Sequence, residues 1–387
     1  MGVFPEWLHS LRAGSRAAVV LLSGAAVSLA IVDWLPPNGY VDPDPIEFVL
    51  TLVIGLSALE LALRTRLSPD TVAAWRRRGL LMTATAAMAL LAAEATTRYL
   101  FRNVTTSADT GSFFSRRWLD DVRFNLQGFR GPGVASQKLP GTYRIAVIGD
   151  SFTFGNGLAV HERFSDRLAA WLPERYEVLN FGTGGANTPN HLDTLTTYVL
   201  PAAPDYVLLQ WYVNDIEGDV TSGRPQPNQL LPPGPHQWLN RRSALYVIAN
   251  MRWAEMEIAM GWYPSYAQYL ETRAGDPNSA DARRDAKLLR EFIATARSRG
   301  SGVGMVLFPD TGRPLDASYP FGYLHERVLA ICAETGIVCL DLRRDFAAVK
   351  DRRTLWVSPF DHHPSAKANE LAALKILDAF GKEWQSH

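Results

Sequence analysis

Apolar residues fall along this chain in two regimes. Up to about residue 100 they form long runs, and from residue 143 onward they form short runs that alternate with amphipathic stretches. The runs at 17–35, 46–63 and 79–97 are each about 18–19 residues long, or roughly 27–29 Å as helix, close to the ~30 Å hydrocarbon core of a bilayer. The first has almost no polar face and periodicity is weak in all three, so they predict three transmembrane helices in place of amphipathic core helices.

Flanking charge supports insertion and sets its direction. Arg12 and Arg16 precede the first run, Arg64, Arg66, Arg76, Arg77 and Arg78 lie between the second and third, and the loop at 36–45 holds no Lys or Arg. The positive-inside rule then places the N-terminus and the second loop in the cytoplasm and everything after residue 100 outside it. A cleaved signal peptide is the competing reading of residues 1–35; the sixteen-residue lead and the two further runs favour an anchor. Glu60 and Glu94 lie inside apolar runs, with Arg64 and Arg98 four residues on. They read as paired helix ends and not as an ion path.

Past the anchor (1–100), residues 101–142 read as a linker with local structure, turn-rich at "NLQGFRGPG". Residues 143–387 then alternate strand with helix. Strands are predicted at 144–148, 176–181, 205–211, 303–308 and 337–342, and helices near 161–172, 189–200, 281–298, 321–335 and 364–380. Buried apolar strands separated by helices predict a parallel sheet covered on both faces. An insertion at about 217–280 interrupts the pattern, proline-rich at first and helical at about 241–261.

Composition narrows the field. Thirty-nine basic residues balance thirty-nine acidic ones, so no nucleic-acid partner is implied. Two cysteines, Cys332 and Cys339, cannot build a disulfide scaffold or a cysteine zinc cluster. Pairing is open to them outside the cytoplasm, but the six intervening residues do not guarantee the geometry, and they are read here as buried thiols.

In an open parallel sheet, ligands sit beyond the carboxyl ends of the strands. Ser151 follows the first predicted strand, "NFGTGGAN" the second and "WYVNDI" the third; "DHHPSAKAN" precedes the last helix. Acyl transfer needs this inventory. A serine hydroxyl is a poor nucleophile until an imidazole takes its proton, and a carboxylate fixes the tautomer of that imidazole. The developing oxyanion needs fixed donors. Asp150 and Asp215 read as turn-stabilising side chains. Of the other histidines, His161, His191, His236 and His325 lack a rim partner in sequence.

The four strings resemble the sequence blocks of the SGNH, or GDSL-type, hydrolase superfamily, over roughly residues 125–380. "GDSFTFG" resembles block one, "NFGTGG" block two, "VND" block three and "DHHP" the terminal block. The resemblance implies a three-layer α/β/α, flavodoxin-like parallel sheet. It implies Ser151 as nucleophile, His363 as base and Asp361 as its orienting acid, with Ser151, Gly182 and Asn214 forming the oxyanion hole. Two departures stand out. Tyr212 replaces the usual block-three glycine, which would narrow the pocket. Asp361 and His363 are one residue closer than is usual; His363 is preferred because proline follows it, and His362 stays as the alternative.

The resulting expectation is a multi-pass protein of the cytoplasmic (inner) membrane with a periplasmic or extracellular serine esterase domain. It calls for no cofactor and no metal. Its partners would be an ester-bearing small molecule, lipid or envelope glycan, and the bilayer. Three rival readings are an O-acyltransferase using the same residues, an inactive glycan- or partner-binding module, and a metal phosphoesterase suggested by the Asp-His-His string. A dinucleotide site is not supported, because "GDSFTFGNG" lacks the G-x-G-x-x-G spacing. Trp238, Trp253, Trp262, Tyr263, Tyr266 and Tyr269 of the insertion read equally as a substrate wall or as ordinary packing.

Overall fold

The structure is a computed structural model that describes residues 68–106, 111–133, 138–218, 224 and 228–385. The apolar runs at 17–35 and 46–63, with Glu60, lie outside the described residues. The third run forms helix α1, Pro69–Leu100, which begins ten residues earlier than its apolar stretch. The Ser68 hydroxyl accepts from Thr71 N at 3.3 Å and Pro69 opens the first turn, a combination that satisfies helix-start donors. Within it Ala73–Leu100, 28 residues with mean hydropathy 1.4 in its most apolar window, is long and apolar enough to cross a membrane. Among the described residues one such helix is found, where three were expected along the chain.

The chain divides into two compact units, one holding residues up to Arg102 together with Asn228–Met256, the other Asn103–Pro227 and Glu257 onward. In the first unit, α1 is joined by two helices of the insertion. The Glu94 carboxylate pairs with Arg98 at 2.6 Å, as its spacing predicts. It also accepts from Ala244 N (3.0 Å), Leu245 N (2.9 Å) and the Ser243 hydroxyl (2.7 Å). Those amides open a helix and have no partner within it, so Glu94 caps that helix from a distant part of the chain.

The second unit is built on five parallel strands: β1 (Tyr143–Gly149), β2 (Tyr176–Gly182), β3 (Tyr206–Trp211), β4 (Gly302–Leu307) and β5 (Val338–Asp341). Their spatial order is β2-β1-β3-β4-β5, the flavodoxin-like arrangement. Ile145–Ile148 and Val207–Trp211 are fully buried, as both-face coverage requires. In chain order the further helices are α2 (Phe164–Trp171), α3 (Thr188–Thr194), α4 (Pro233–Arg242), α5 (Ala244–Ala259), α6 (Tyr266–Ala274), α7 (Ala280–Ser298), α8 (Gly322–Thr335) and α9 (Ala366–Gln385); α4 and nearly all of α5 belong to the first unit and the others to the second. Of these, α2 packs with α9, and α7 packs with α3 and α8. Helix α7 buries Ala282, Asp285, Leu289, Phe292, Ile293 and Ala296, a stripe at three- and four-residue spacing. A short antiparallel pair, β6 (Trp356–Ser358) and β7 (Asp361–Pro364), sits before α9.

One stretch gains detail and one expectation changes. The stretch expected as a linker with local structure buries Phe114, Trp118, Phe129 and Arg130. Arg130 donates to the carbonyls of Phe154 (3.3 Å), Gly155 (2.7 Å) and Leu158 (2.6 Å). Aromatic anchors and a backbone-binding arginine leave no periodic signature, so the sequence pattern did not mark this segment as structural. Cys332 and Cys339, expected as thiols, form a disulfide. Gly336 ends α8 in the left-handed conformation (φ 64°) and turns the chain into β5. Ile337 N then bonds to Cys332 O at 3.1 Å, and the two Cα atoms stand 6.2 Å apart, within bridging range.

Iodoacetamide added to the denatured, unreduced protein should label neither cysteine. Replacing both by alanine should lower unfolding free energy by about 2 kcal/mol in urea titrations, as expected for a short closed loop. Quantitative labelling without reductant would contradict the pairing.

Candidate active site

Ser151, Gly182, Asn214, Asp361 and His363 all line one cavity of about 940 Å³ in the second unit. That is within the range of small-molecule sites. Each reaches it from a strand end. At the end of β1, Asp150 Oδ1 accepts from Phe152 N at 2.9 Å and caps the short helix Ser151–Phe154. Gly155, at φ 76°, closes that helix. Gln210 of β3 holds the same turn: its Oε1 accepts from the Thr153 hydroxyl (2.9 Å) and from Asp150 N (3.2 Å). A Cβ at Gly149 would lie 2.2 Å from Thr153 Oγ1 and 2.4 Å from Gln210 Oε1, so the residue before Asp150 must be glycine. The Asp150 carboxyl is pushed up to about 6, first by burial and then by the charge of Asp215.

Strand β7 presents the other two groups. Side chains two apart on a strand share a face, so Asp361 and His363 point the same way and His362 points oppositely. His363 Nδ1 lies 2.5 Å from Asp361 Oδ1, and His363 Nε2 lies 2.9 Å from Ser151 Oγ. Asp361 Oδ1 also accepts from His363 N at 3.1 Å. The His362 ring packs 4.4 Å from that of Trp356. The one-residue spacing that departed from the resemblance is therefore the spacing a strand needs. Burial alone would depress the His363 imidazole, but the hydrogen bond and charge of Asp361 outweigh it, and its pKa is raised above 6.5.

Of the expected oxyanion donors, Gly182 N donates to Asn180 Oδ1 at 2.9 Å in this structure. Its lack of a side chain serves packing, since a Cβ there would lie 2.2 Å from Phe154 N. Beyond it, Ala186 N bonds to Thr183 O at 3.1 Å and Gly185 takes φ 75°, a tight turn with glycine where the left-handed residue sits. Gly184 and Gly185 line the cavity, and among the described residues their N–H groups, like that of Ser151, have no acceptor. Asn214 Nδ2 donates one hydrogen to Ala186 O at 3.3 Å, and an amide nitrogen carries a second.

Three features escaped the sequence reading. His191 pairs through Nε2 with Asp215 Oδ1 at 3.0 Å, and Asp215 Oδ2 accepts from Tyr212 N at 3.2 Å. Both are buried, and the pair joins α3 to the turn that carries Asn214. Tyr212, expected to narrow the pocket, lines the cavity wall, its ring 4.3 Å from that of Phe152. Thr106, from the supposed linker, donates to Asp361 Oδ2 at 3.2 Å. Of the insertion aromatics, Tyr266 lines the cavity, Tyr269 is buried in the core, and Trp262 is exposed. Among the described residues, no group of three or more His, Cys, Asp or Glu is placed to hold a metal ion.

The family model of the GDSL-like lipase/acylhydrolases matches residues 147–371, more than half of the chain. The chain belongs to this family. It is an ester-bond hydrolase by that membership. The solved structures to which this GDSL-type acylhydrolase is similar include a member of the lipolytic G-D-S-L family from Veillonella parvula, at 16% identity and TM-score 0.39, covering 62% of this chain and 100% of that one. A lipase/acylhydrolase from Enterococcus faecalis matches at 16% and 0.39, covering 62% and 97%. Axe2, an acetylxylan esterase from Geobacillus stearothermophilus, matches at 17% and 0.38, covering 62% and 95%. No curated protein matches the chain.

The raised His363 pKa gives a measurement that needs no substrate. Its imidazole should titrate above 6.5 in histidine NMR spectra, and Asp361→Asn should move the titration to lower pH by removing the group that favours the imidazolium. An unchanged titration in that variant would contradict the electrostatic coupling.

Proposed function

We propose that this GDSL-type acylhydrolase is a membrane-anchored serine ester hydrolase that works outside the cytoplasm through an acyl-enzyme on Ser151. The observation that carries this reading is the unbroken hydrogen-bond line from Asp361 through His363 to Ser151, at 2.5 and 2.9 Å. The Ser151 hydroxyl attacks the ester carbonyl carbon while His363 Nε2 takes its proton. Asp361 holds Nδ1–H and balances the imidazolium. The N–H groups of Ser151 and of the Gly184–Gly185 turn, with the free hydrogen of the Asn214 amide, receive the oxyanion. His363 then gives its proton to the departing alkoxide, and water, activated by the same imidazole, releases the acid.

The cavity supports an ester with a sizeable apolar portion, because Trp118, Leu119, Val122, Phe124 and Phe360 line it beside the polar groups. The placement outside the cytoplasm draws on two independent features. Arg76, Arg77 and Arg78 precede the most apolar part of α1, which by the positive-inside rule favours its N-terminal end on the cytoplasmic side. The Cys332–Cys339 disulfide suits an oxidising compartment.

Ser151→Ala should fold normally, lose at least ~10³-fold in turnover and no longer react with a fluorophosphonate. His362→Ala should keep turnover within a few-fold of wild type, and a chelator should not inhibit. Wild-type-like turnover in the serine variant would end the assignment. Protease added to intact spheroplasts should digest the region after residue 100; full protection would reverse the orientation.

A further inference from the structure

We infer that Thr106 is a positioning residue for the catalytic acid, reaching Asp361 from a segment that precedes the family-matched part of the chain; this rests on the triad reading above. The matched residues begin at 147, and Thr106 lies well upstream of them, six residues after the end of α1. Its hydroxyl donates to Asp361 Oδ2 at 3.2 Å. Thr106 is 4% exposed and Asp361 1%, so the contact is shielded from water.

The geometry explains why a second grip matters. Asp361 Oδ1 is already engaged twice, by His363 N and His363 Nδ1. An aspartate χ2 torsion is broad, so the orientation of the carboxylate plane depends on the groups bonded to its oxygens. A donor on Oδ2 fixes the plane from the opposite end and holds Oδ1 toward the imidazole. A hydroxyl donor also stabilises the charged carboxylate in a buried setting, where each missing bond is costly.

The segment is built to deliver this group. The Phe114 ring lies 5.9 Å from that of Phe360, the residue before Asp361. Thr105 Oγ1 donates to Phe114 O at 3.4 Å, and Ser115 Oγ donates to Ser112 O at 2.8 Å. Further on, Trp118 Nε1 donates to Leu158 O at 3.3 Å, beyond the nucleophile turn. One stretch thus abuts both the serine turn and the acid hairpin.

The test uses the full-length protein in detergent. Thr106→Val keeps the branched shape and removes the donor; Thr106→Ala removes it with a smaller side chain; Thr106→Ser retains it. Both donor-free variants should lose about ten-fold in kcat, the scale of one hydrogen bond to a charge, with KM within two-fold. The acid limb of kcat/KM should move to higher pH, because a carboxylate with one fewer donor makes the His363–Asp361 couple easier to protonate. The serine variant should restore both readouts. If valine prevents folding, the alanine and serine pair carries the same comparison. Wild-type kcat and an unmoved acid limb without the hydroxyl would overturn the inference, as would a serine variant as impaired as alanine. Asp361→Asn is measured alongside: if it too is wild-type-like, the triad reading has failed; if it alone is crippled, only the role of Thr106 has.

Discussion

The site depends on a two-residue repeat. Because β7 is a strand, Asp361 and His363 leave it on the same side, and a side chain between them must leave on the other. With that orientation the carboxylate can accept from both the backbone and the ring of His363, and Nε2 is left facing Ser151. Had the same three residues formed a helical turn, Asp361 and His363 would diverge by about 200° around the axis. The antiparallel partner β6, which pairs Ser358 with Asp361, is what keeps the segment extended.

A second constraint comes from the crowding behind the serine. Gly149 and Gly182 are register partners on β1 and β2, and both lie against the Ser151–Phe154 turn with no space for a Cβ. The turn that carries Ser151 is thus clamped between two strand ends, with Gln210 of β3 gripping it from the other side. Catalysis by fixed donors requires this kind of rigidity, since a donor that must reorient contributes less to the transition state. In block two the crowding divides the labour among glycines: Gly182 fills a packing role, and the later Gly184–Gly185 turn carries the exposed amides.

How much of this was legible follows from which forces leave a pattern. The five strands and their helices announce themselves because burial on both faces produces short apolar runs, and Ser151 is found because ligands gather where such strands end. The spacing of Asp361 and His363 was read, but its meaning required knowing that residues 361–364 are a strand. The bond from Gly182 N to Asn180 Oδ1 was not legible, because side-chain-to-backbone bonds of that kind have no sequence period. The packing of residues 103–106 and 111–133 was hard to see for a related reason. They act through single anchors such as Thr106, Trp118 and Arg130, and isolated anchors look like a linker. The disulfide hinged on the left-handed turn at Gly336, which two cysteines seven positions apart do not reveal.

Behind the proposed oxyanion donors lies a buried polar assembly that argues for directionality over raw stability. His191 and Asp215 are removed from water, and burial pushes the Asp215 carboxyl up while Asp215 pushes the imidazole up. Asp285, bonded to Thr188 at 2.6 Å, is pushed up to about 7 by burial. An apolar pair of the same volume is often as stabilising as a buried ion pair. It would not, however, set the relative rotation of α3 and the turn after β3. These bonds do, together with those from Asn187 Nδ2 to the carbonyls of Glu217 and Gly218, both 3.1 Å, and from Asn214 Nδ2 to Ala186 O. Apart from the Asp285–Thr188 bond, which ties α3 to α7, each links the segment that carries Gly184 and Gly185 to the segment that carries Asn214. The two halves of the proposed oxyanion site are therefore held as one piece, and that coupling accounts for polar groups placed where hydrophobic packing alone would have served the fold.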